Sequence, residues 1–144
     1  MQPTQFTDAV EAISSHDQSY DSGAYYFLKD ALDFTVNRAM ESNDGKHRHV
    51  AASELLFGFR DLALQEFGPM ASTMMSEWGI RSCGDIGIMV FQLIEEGVFG
   101  KQDSDTPEDF AELFPLIETL EKPFRAKTIP TSRRDSPSED LFPS

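Results

Sequence analysis

A single cysteine, Cys83, is the side chain of this sequence with the greatest intrinsic reactivity. It lies in the stretch SEWGIRSCGDIG, residues 76–87, near the start of a predicted helix, where unpaired amides favour a thiolate. A catalytic thiol also needs an imidazole base, and the three histidines, His16, His47 and His49, are distant in sequence. The sequence therefore favours a structural first-turn residue over a nucleophile, and the burial or exposure of the sulfur decides between them.

Two of those histidines, His47 and His49, form the sequence HRH close to Asp44 and could supply metal ligands. A zinc site takes three or four ligands with supporting spacing. The chain has no second Cys or His pair, so the sequence predicts no metal site. The stretch GVFGKQ lacks the Gly-rich spacing and the Gly-Lys-Ser/Thr ending of a phosphate-binding loop, and no cofactor is predicted.

Carboxylates dominate the charge of the chain: 25 Asp and Glu oppose 12 Lys and Arg, for a net charge of −13. Residues 122–144 carry five basic and three acidic side chains, so the other 121 residues carry −15. Because phosphate backbones and anionic membranes are bound through Lys and Arg, a body this acidic repels both. The charge argues against nucleic-acid and membrane partners and is typical of a solvated acidic surface, with attraction of a basic protein partner as the alternative. No acid–base pair stands out among 25 carboxylates.

The length of 144 residues fits one domain, and 40% hydrophobic residues, including 12 Phe, provide for a core. One cysteine cannot form an internal disulfide, which is typical of a reducing compartment. The first ten residues, MQPTQFTDAV, lack the basic and apolar regions of a signal peptide. No run approaches the roughly 20 apolar residues of a membrane span. We therefore expect a cytoplasmic protein.

Apolar residues recur with a helical period along most of the chain. The pattern predicts a mainly α, compact single domain of about five helices over residues 1–121. A tail over residues 122–144, with four of the eight Pro and several Ser, is predicted to be disordered. The fifth helix is apolar on nearly every side, including Ile88 and Phe91, so we expect it to be buried on most sides. The five predicted helices lie within residues 6–17, 22–40, 51–67, 70–78 and 82–96.

Glycine and capping residues mark the predicted helix ends. Gly68-Pro69 is typical of one helix ending and the next beginning, because Gly adopts the left-handed conformation and Pro suits the first helical position. Gly79 and Gly97 predict helix ends of the same kind, each with an apolar contact across it. Ser82 lies three residues before Asp85, the spacing of a capping box. These signals explain the region around Cys83 as the end of one helix and the start of the next.

The fourth and fifth predicted helices, joined by a short turn, resemble the layout of a winged helix-turn-helix. The segments VFGKQ and DFAELF, within residues 98–114, could form a small β-ribbon around DSDTPE, whereas EDFAELFPLIETL could also be helical. A DNA reader needs base-reaching and phosphate-binding side chains on the second helix. Residues 83–97 contain no Lys or Arg. We expect a winged-helix-like fold that does not bind DNA.

Several stretches together resemble a small uncharacterised protein family found mainly in Planctomycetes and Verrucomicrobia: YDSGAYYFLKDAL, HVAASELLFGFRDLALQEFGPMA, WGI, DIGIMVFQLIEEG and EDF. The resemblance extends over about residues 6–125 and implies no activity, cofactor or catalytic residue. The family pattern has Ser-Gly where this chain has Ala51 and Ala52. The resemblance thus implies that Glu54 lacks its reciprocal cap. It also implies that the position of Cys83 is usually occupied by Thr or another residue, which argues further against a reactive thiol.

These observations favour a protein-interaction or regulatory module without catalytic activity. The alternative is an enzyme or a small-ligand-binding protein whose site is assembled from residues distant in sequence, with Tyr25, Tyr26, His49 and Arg60 at a cleft. Trp78 is a further candidate binding residue, although a core anchor at a helix end explains it better. The candidate binding residues are therefore Tyr25, Tyr26, His49, Arg60 and Trp78.

Overall fold

Helix α2, Ser22–Ser42, is the longest element of the computed structural model, which describes residues 3–42, 50–100, 107–111 and 113–125. The mainly α prediction is confirmed, and the described residues form six α-helices. Short 3-10 helices occupy Gly68–Met70, Pro107–Phe110 and Lys122–Phe124. The remaining α-helices are α1 (Pro3–Ser14), α3 (Ala52–Phe67), α4 (Ala71–Trp78), α5 (Cys83–Glu95) and α6 (Leu116–Glu121).

The predicted β-ribbon is not found, because the part of the chain that the structure describes contains no strand. Where the second strand was expected, Pro107–Phe110 form a 3-10 helix that packs on α5. Phe110 is buried, and its ring meets Phe91 edge-on at 6.0 Å between centroids. Burial of this ring against a helix replaces the strand pairing that a wing requires. The winged-helix shape is therefore not supported, while residues 101–106 of the expected ribbon lie outside the described residues.

All six helices contribute to one hydrophobic core. The end of the predicted domain at residue 121 coincides with the end of α6, although Lys122–Phe124 continue as an exposed 3-10 helix. Residues 126–144 lie outside the described residues, so disorder of the tail stays a prediction. The largest fully buried side chains are those of Phe6, Ile13, Tyr25, Leu28, Leu56, Phe59, Met75, Ile80, Ile86, Met89, Leu93 and Leu116.

Helices α2 and α3 form the most extensive helix pair and touch through a glycine. A Cβ atom on Gly58 would overlap with Oγ1 of Thr35 on α2, so only glycine permits this approach. Thr35 is buried, and its hydroxyl donates to the carbonyl oxygen of Ala31 at 2.7 Å. The hydroxyl is therefore satisfied within its own helix, and the Thr35 side chain fits against bare backbone.

Helix α3 ends before Gly68 as predicted, but Gly68, with φ +51° and ψ −129°, is not in the left-handed helical conformation. The helix ends predicted at Gly79 and Gly97 are confirmed. At Gly79, with φ +85°, the amide of Ile80 donates to the Met75 carbonyl at 2.9 Å, and both flanking side chains are buried. Gly97 repeats this arrangement with φ +81°. Ser82 and Asp85 form the expected capping box at the start of α5. Each motif pairs backbone groups that a helix end leaves without partners.

The start of α3 forms half of a capping box. Ala51 has no side-chain acceptor, as expected, but the Glu54 carboxylate accepts a hydrogen bond from the Ala51 amide at 2.8 Å. The hydrogen bond that the resemblance implies to be missing is the one that a side chain at position 51 would accept, and Ala51 cannot form it. The hydrogen bond that Glu54 accepts nevertheless satisfies the backbone amide of Ala51, which has no partner within the helix.

Gly58→Ala is expected to destabilise the protein by about 2–3 kcal/mol, because the added methyl group overpacks the α2–α3 contact. The matched control is Gly84→Ala in α5, where the nearest atom, Ser82 Oγ, lies 3.5 Å from the new Cβ. That control should change stability by less than about 1 kcal/mol, in the stabilising direction. Urea unfolding midpoints measure both effects, and equal midpoints for the two variants would contradict the role given to Gly58.

Candidate functional site

The sulfur of Cys83 is fully buried, with no exposed surface. Its thiol donates to the carbonyl oxygen of Phe114 at 3.4 Å, in the segment that leads into α6. A buried thiol is shielded from substrates and oxidants. The geometry therefore agrees with a structural residue in the first turn of α5.

The other described candidate residues contact different parts of the fold. Tyr25 is buried against α5, whereas Tyr26 is exposed beside α1 and exchanges a hydrogen bond with Thr7 at 2.9 Å. Arg60 lies on α3, and Trp78 packs against the core from the end of α4. Among the described residues, no hydrogen bond, ion pair or ring contact joins any two of these side chains. His49 lies outside the described residues, so the proposed cleft with this histidine stays a prediction.

Trp78 is half-buried and lies against two phenylalanine rings. Its centroid is 5.5 Å from that of Phe27 and 5.6 Å from that of Phe67. Its carbonyl oxygen accepts a hydrogen bond from the Asp21 amide at 3.1 Å, which ties the end of α4 to the start of α2. These contacts suit an anchor of the core at a helix end.

A chain of hydrogen bonds links the loop before α2 to the outer side of α5. The Tyr25 hydroxyl donates to Oε1 of Gln92 at 2.6 Å, and Nε2 of Gln92 donates to the Asp17 carboxylate at 2.7 Å. The Ser19 amide donates to the other Asp17 oxygen at 2.9 Å. The hydrogen bonds from Ser19 lower the pKa of Asp17, which is therefore ionised at neutral pH. The side-chain amide of Gln92 is consequently held by partners on both of its polar atoms.

A second hydrogen-bonded connection joins Tyr20 to Asp85. We name this connection and the one from Tyr25 through Gln92 to Asp17 the tyrosine ties. The Tyr20 hydroxyl donates to Oδ1 of Asp85 at 2.5 Å, and Oδ2 of Asp85 accepts from the Arg81 amide at 2.8 Å. Asp85 thus caps its own helix and also holds the loop before α2. The rings of Tyr20 and Tyr25 meet edge-on at 6.4 Å, so the two ties support each other.

The pKa values of Tyr20 and Tyr25 suit a structural role in the tyrosine ties better than a role in acid–base catalysis. Burial raises the pKa of Tyr25 to about 12, and burial together with the Asp85 hydrogen bond raises the pKa of Tyr20 further. Both phenols stay protonated at neutral pH and act as hydrogen-bond donors rather than bases. A catalytic acid or base works best with a pKa near the operating pH. The tyrosine ties therefore position α5 and its side chains.

The outer side of α5 carries a surface pocket of about 270 Å³, which we name the Ile88 pocket. Helix α5 is covered on most sides, as expected, but Ile88 is 50% exposed. The reason is that neighbouring elements cover Ile86, Met89 and Leu93 but leave the Ile88 side open. The pocket is lined by Gly84, Gly87, Ile88, Phe91, Gln92 and Glu95.

The walls of the Ile88 pocket are fixed by packing and hydrogen bonds. Gln92 is held by Tyr25 and Asp17, as described above. Phe91 meets Phe110 edge-on, and a Cβ on Gly87 would lie only 2.5 Å from the Phe110 Cβ. The pocket is thus formed before any ligand binds, and a ligand need not order these side chains.

The charge around this pocket is negative. Helix α5 and the 3-10 helix packed on it, Pro107–Phe110, together carry four carboxylates and no Lys or Arg. Glu95 lines the pocket itself, while Glu108 is exposed on the packed 3-10 helix. Arg81, in the turn before α5, is the nearest cation along the described chain. The pocket therefore has an apolar floor and an acidic rim at Glu95.

A different surface, on α3, combines arginine with aromatic rings. The Arg60 guanidinium lies 4.9 Å from the Phe57 ring centre and 5.7 Å from that of Phe114, while the two rings stack at 5.4 Å. Arg60 and Arg38 both bind Asp61, at 2.7 and 2.8 Å. Partial burial opposes the effect, but the two arginines lower the pKa of Asp61. Both guanidiniums on this surface are therefore engaged by the one carboxylate of Asp61, and that of Arg60 is also engaged by the aromatic rings.

No group of three or more potential metal ligands occurs among the residues that the structure describes. His47 and His49 lie outside them, so their role stays a prediction. Among the described helices, none has the length and apolarity that crossing a membrane would require.

Comparisons with protein-family models, curated proteins and solved structures gave no match for this chain. The resemblance to the family of Planctomycetes and Verrucomicrobia stays a prediction. Arguments about function therefore rest on the geometry of the chain itself.

Sequence reasoning missed the Ile88 pocket and the hydrogen bonds that hold it. The available signal was the absence of basic residues from α5 together with apolar residues on all of its sides. That pattern was interpreted as burial, although an apolar side chain on an acidic helix equally suits a binding surface. The pairing of Tyr25 with Gln92 spans 67 residues and leaves no periodic signal.

The tyrosine ties predict that Tyr20 and Tyr25 ionise late in the folded protein. Tyr20 and Tyr25 should ionise only well above the ordinary phenol pKa of 10.0, because burial disfavours the phenolate. Since their pKa is raised by folding, their contribution to stability is complete below pH 10.0 and is lost at higher pH. Near-ultraviolet absorbance of phenolate measures the titration. Tyr20→Phe should remove one of the late-ionising groups, and a single step near 10.0 in the folded protein would contradict the buried ties.

Proposed function

We propose that this protein is a protein-interaction module whose binding site is the Ile88 pocket. The observation that carries the proposal is a half-exposed isoleucine in a preformed pocket on a helix without basic residues. Exposed apolar surface with a polar rim is typical of interaction sites. The buried Cys83 and the protonated tyrosines supply no nucleophile or base that would favour an enzyme.

The chemistry of the pocket suits a basic partner segment that presents an apolar side chain. Burying a Leu-sized side chain against Ile88 and Phe91 contributes about 1.5–3 kcal/mol. Lys or Arg on the same segment would face Glu95 and the neighbouring carboxylates. Such rim charges contribute modestly to affinity but speed association and select against acidic partners.

Nucleic acids and anionic membranes are poor candidates for this site, since their phosphates would face the same carboxylates. The negative net charge of the chain supports this reasoning beyond the pocket. The single cysteine, which is buried, supports a cytoplasmic location.

Selection from a library of random peptides tests the proposal. Against the wild-type protein, we expect enrichment of peptides with net positive charge and at least one Leu, Ile, Phe or Met. Ile88→Glu should weaken binding of a selected peptide at least tenfold, because it places a charge on the apolar floor of the pocket.

Two matched controls separate the pocket from general effects of charge. Met70→Glu makes the same type of change at a side chain that is 55% exposed in the 3-10 helix between α3 and α4, and it should leave binding unchanged. Glu95→Lys should weaken binding, whereas Glu66→Lys on α3 should not. Absence of enriched peptides, or equal binding to Ile88→Glu and wild-type protein, would refute the proposed site.

A further inference from the structure

The sequence contains one concentrated block of positive charge, which we name the basic segment, residues 122–134. It holds five of the twelve Lys and Arg of the chain and no Asp or Glu. Its sequence is KPFRAKTIPTSRR, in which Ile129 is flanked by basic residues on both sides. The structure describes its first four residues, which are exposed and follow α6 directly.

We propose that the basic segment of the chain itself occupies the Ile88 pocket and competes there with the external partner. This inference rests on the proposed function and names the regulation of that site. Within the segment, Ile129 supplies the apolar side chain, and Lys127, Arg133 and Arg134 supply the positive charges that the acidic rim selects. The chain thus contains the chemistry that the pocket recognises.

The start of α6 lies close to the Ile88 pocket, and the basic segment begins at the other end of this helix. The bond from the Cys83 thiol to the Phe114 carbonyl places the segment before α6 against the first turn of α5. Gly84, the next residue, already lines the pocket. Helix α6 has six residues and is therefore about 9 Å long.

The basic segment is long enough to return from the end of α6. Residues 126–134 span up to about 30 Å when extended. Ile129 lies four residues beyond Arg125 and can extend up to about 14 Å from it, whereas Arg134 can extend over the full length. Because the segment is tethered, its local concentration at the pocket is in the millimolar range, and weak contacts are sufficient for occupancy.

Occupancy of the Ile88 pocket by the basic segment would raise the affinity or concentration that an external partner needs in order to bind. If the segment fills the pocket for nine-tenths of the time, the apparent affinity of an external ligand falls about tenfold. Only partners that exceed the tethered segment in affinity, or that are present at high concentration, would bind.

The test uses the full chain and a synthetic peptide of residues 122–134 as the probe. Binding is measured by changes in the amide NMR signals of α5. The triple variant Lys127→Glu, Arg133→Glu, Arg134→Glu removes the attraction of the tethered segment. We expect this variant to bind the probe about tenfold more tightly than wild-type protein, with the largest signal changes at Ile88, Phe91 and Gln92.

Two further variants separate competition from general electrostatics. Ile129→Ser leaves the charge unchanged and should also tighten binding of the probe, because the tethered segment loses its apolar contact. Ile88→Glu in the triple background should abolish probe binding at the pocket, whereas Met70→Glu in the same background should not.

The outcomes distinguish this inference from the proposed function. Equal affinity of the probe for wild-type and triple-variant protein, or signal changes away from α5, would overturn competition by the segment. Selected peptides could still bind the Ile88 pocket in that case, so the proposed function would stand. A tightening that disappears on dilution of the protein would show that the segment of a second copy fills the pocket, and it would also overturn the intramolecular inference.

Discussion

The close approach of α2 to α3 at Thr35 and Gly58 is the contact on which the rest of the fold depends. A helix pair this close requires a residue without a side chain at the crossing point, and any Cβ on Gly58 would push the helices apart. With α3 held there, Phe27 of α2 meets Phe59 of α3 edge-on at 5.0 Å, and the core forms around them. The opposite side of α2 is then free to receive α5 through Tyr25.

The tyrosine ties connect this core to the surface of the protein. Tyr25 is part of the core and also the donor that fixes Gln92, while Gln92 is a wall of the Ile88 pocket. The polar wall of the pocket is thus hydrogen-bonded on both of its side-chain atoms. On the arginine–aromatic surface of α3, Arg38 and Arg60 are both engaged by the one carboxylate of Asp61. At the Ile88 pocket, a half-exposed isoleucine lies beside the carboxylate of Glu95.

Much of the local structure could be predicted from sequence, because its causes are local. The helix ends at Gly79 and Gly97 follow from a left-handed residue, and the start of α5 follows from Ser82 and Asp85. The β-ribbon is not supported over the described residues, where Phe110 packs on α5 from a 3-10 helix, in line with the helical alternative for this segment. The pocket was missed because periodicity reports which residues are apolar but not which of them a neighbouring helix covers.

The amino-acid sequence by itself determined a mainly helical chain, the positions where its helices end, the acidic body and the basic segment. These properties depend on backbone preferences and on charge, which neighbouring residues carry with them. Only the tertiary structure decided that Cys83 is buried, that Ile88 is half-exposed and that Gln92 is held between Tyr25 and Asp17. Contacts across 67 and 75 residues arise from the packing angles of whole helices, and no short stretch of sequence contains that information.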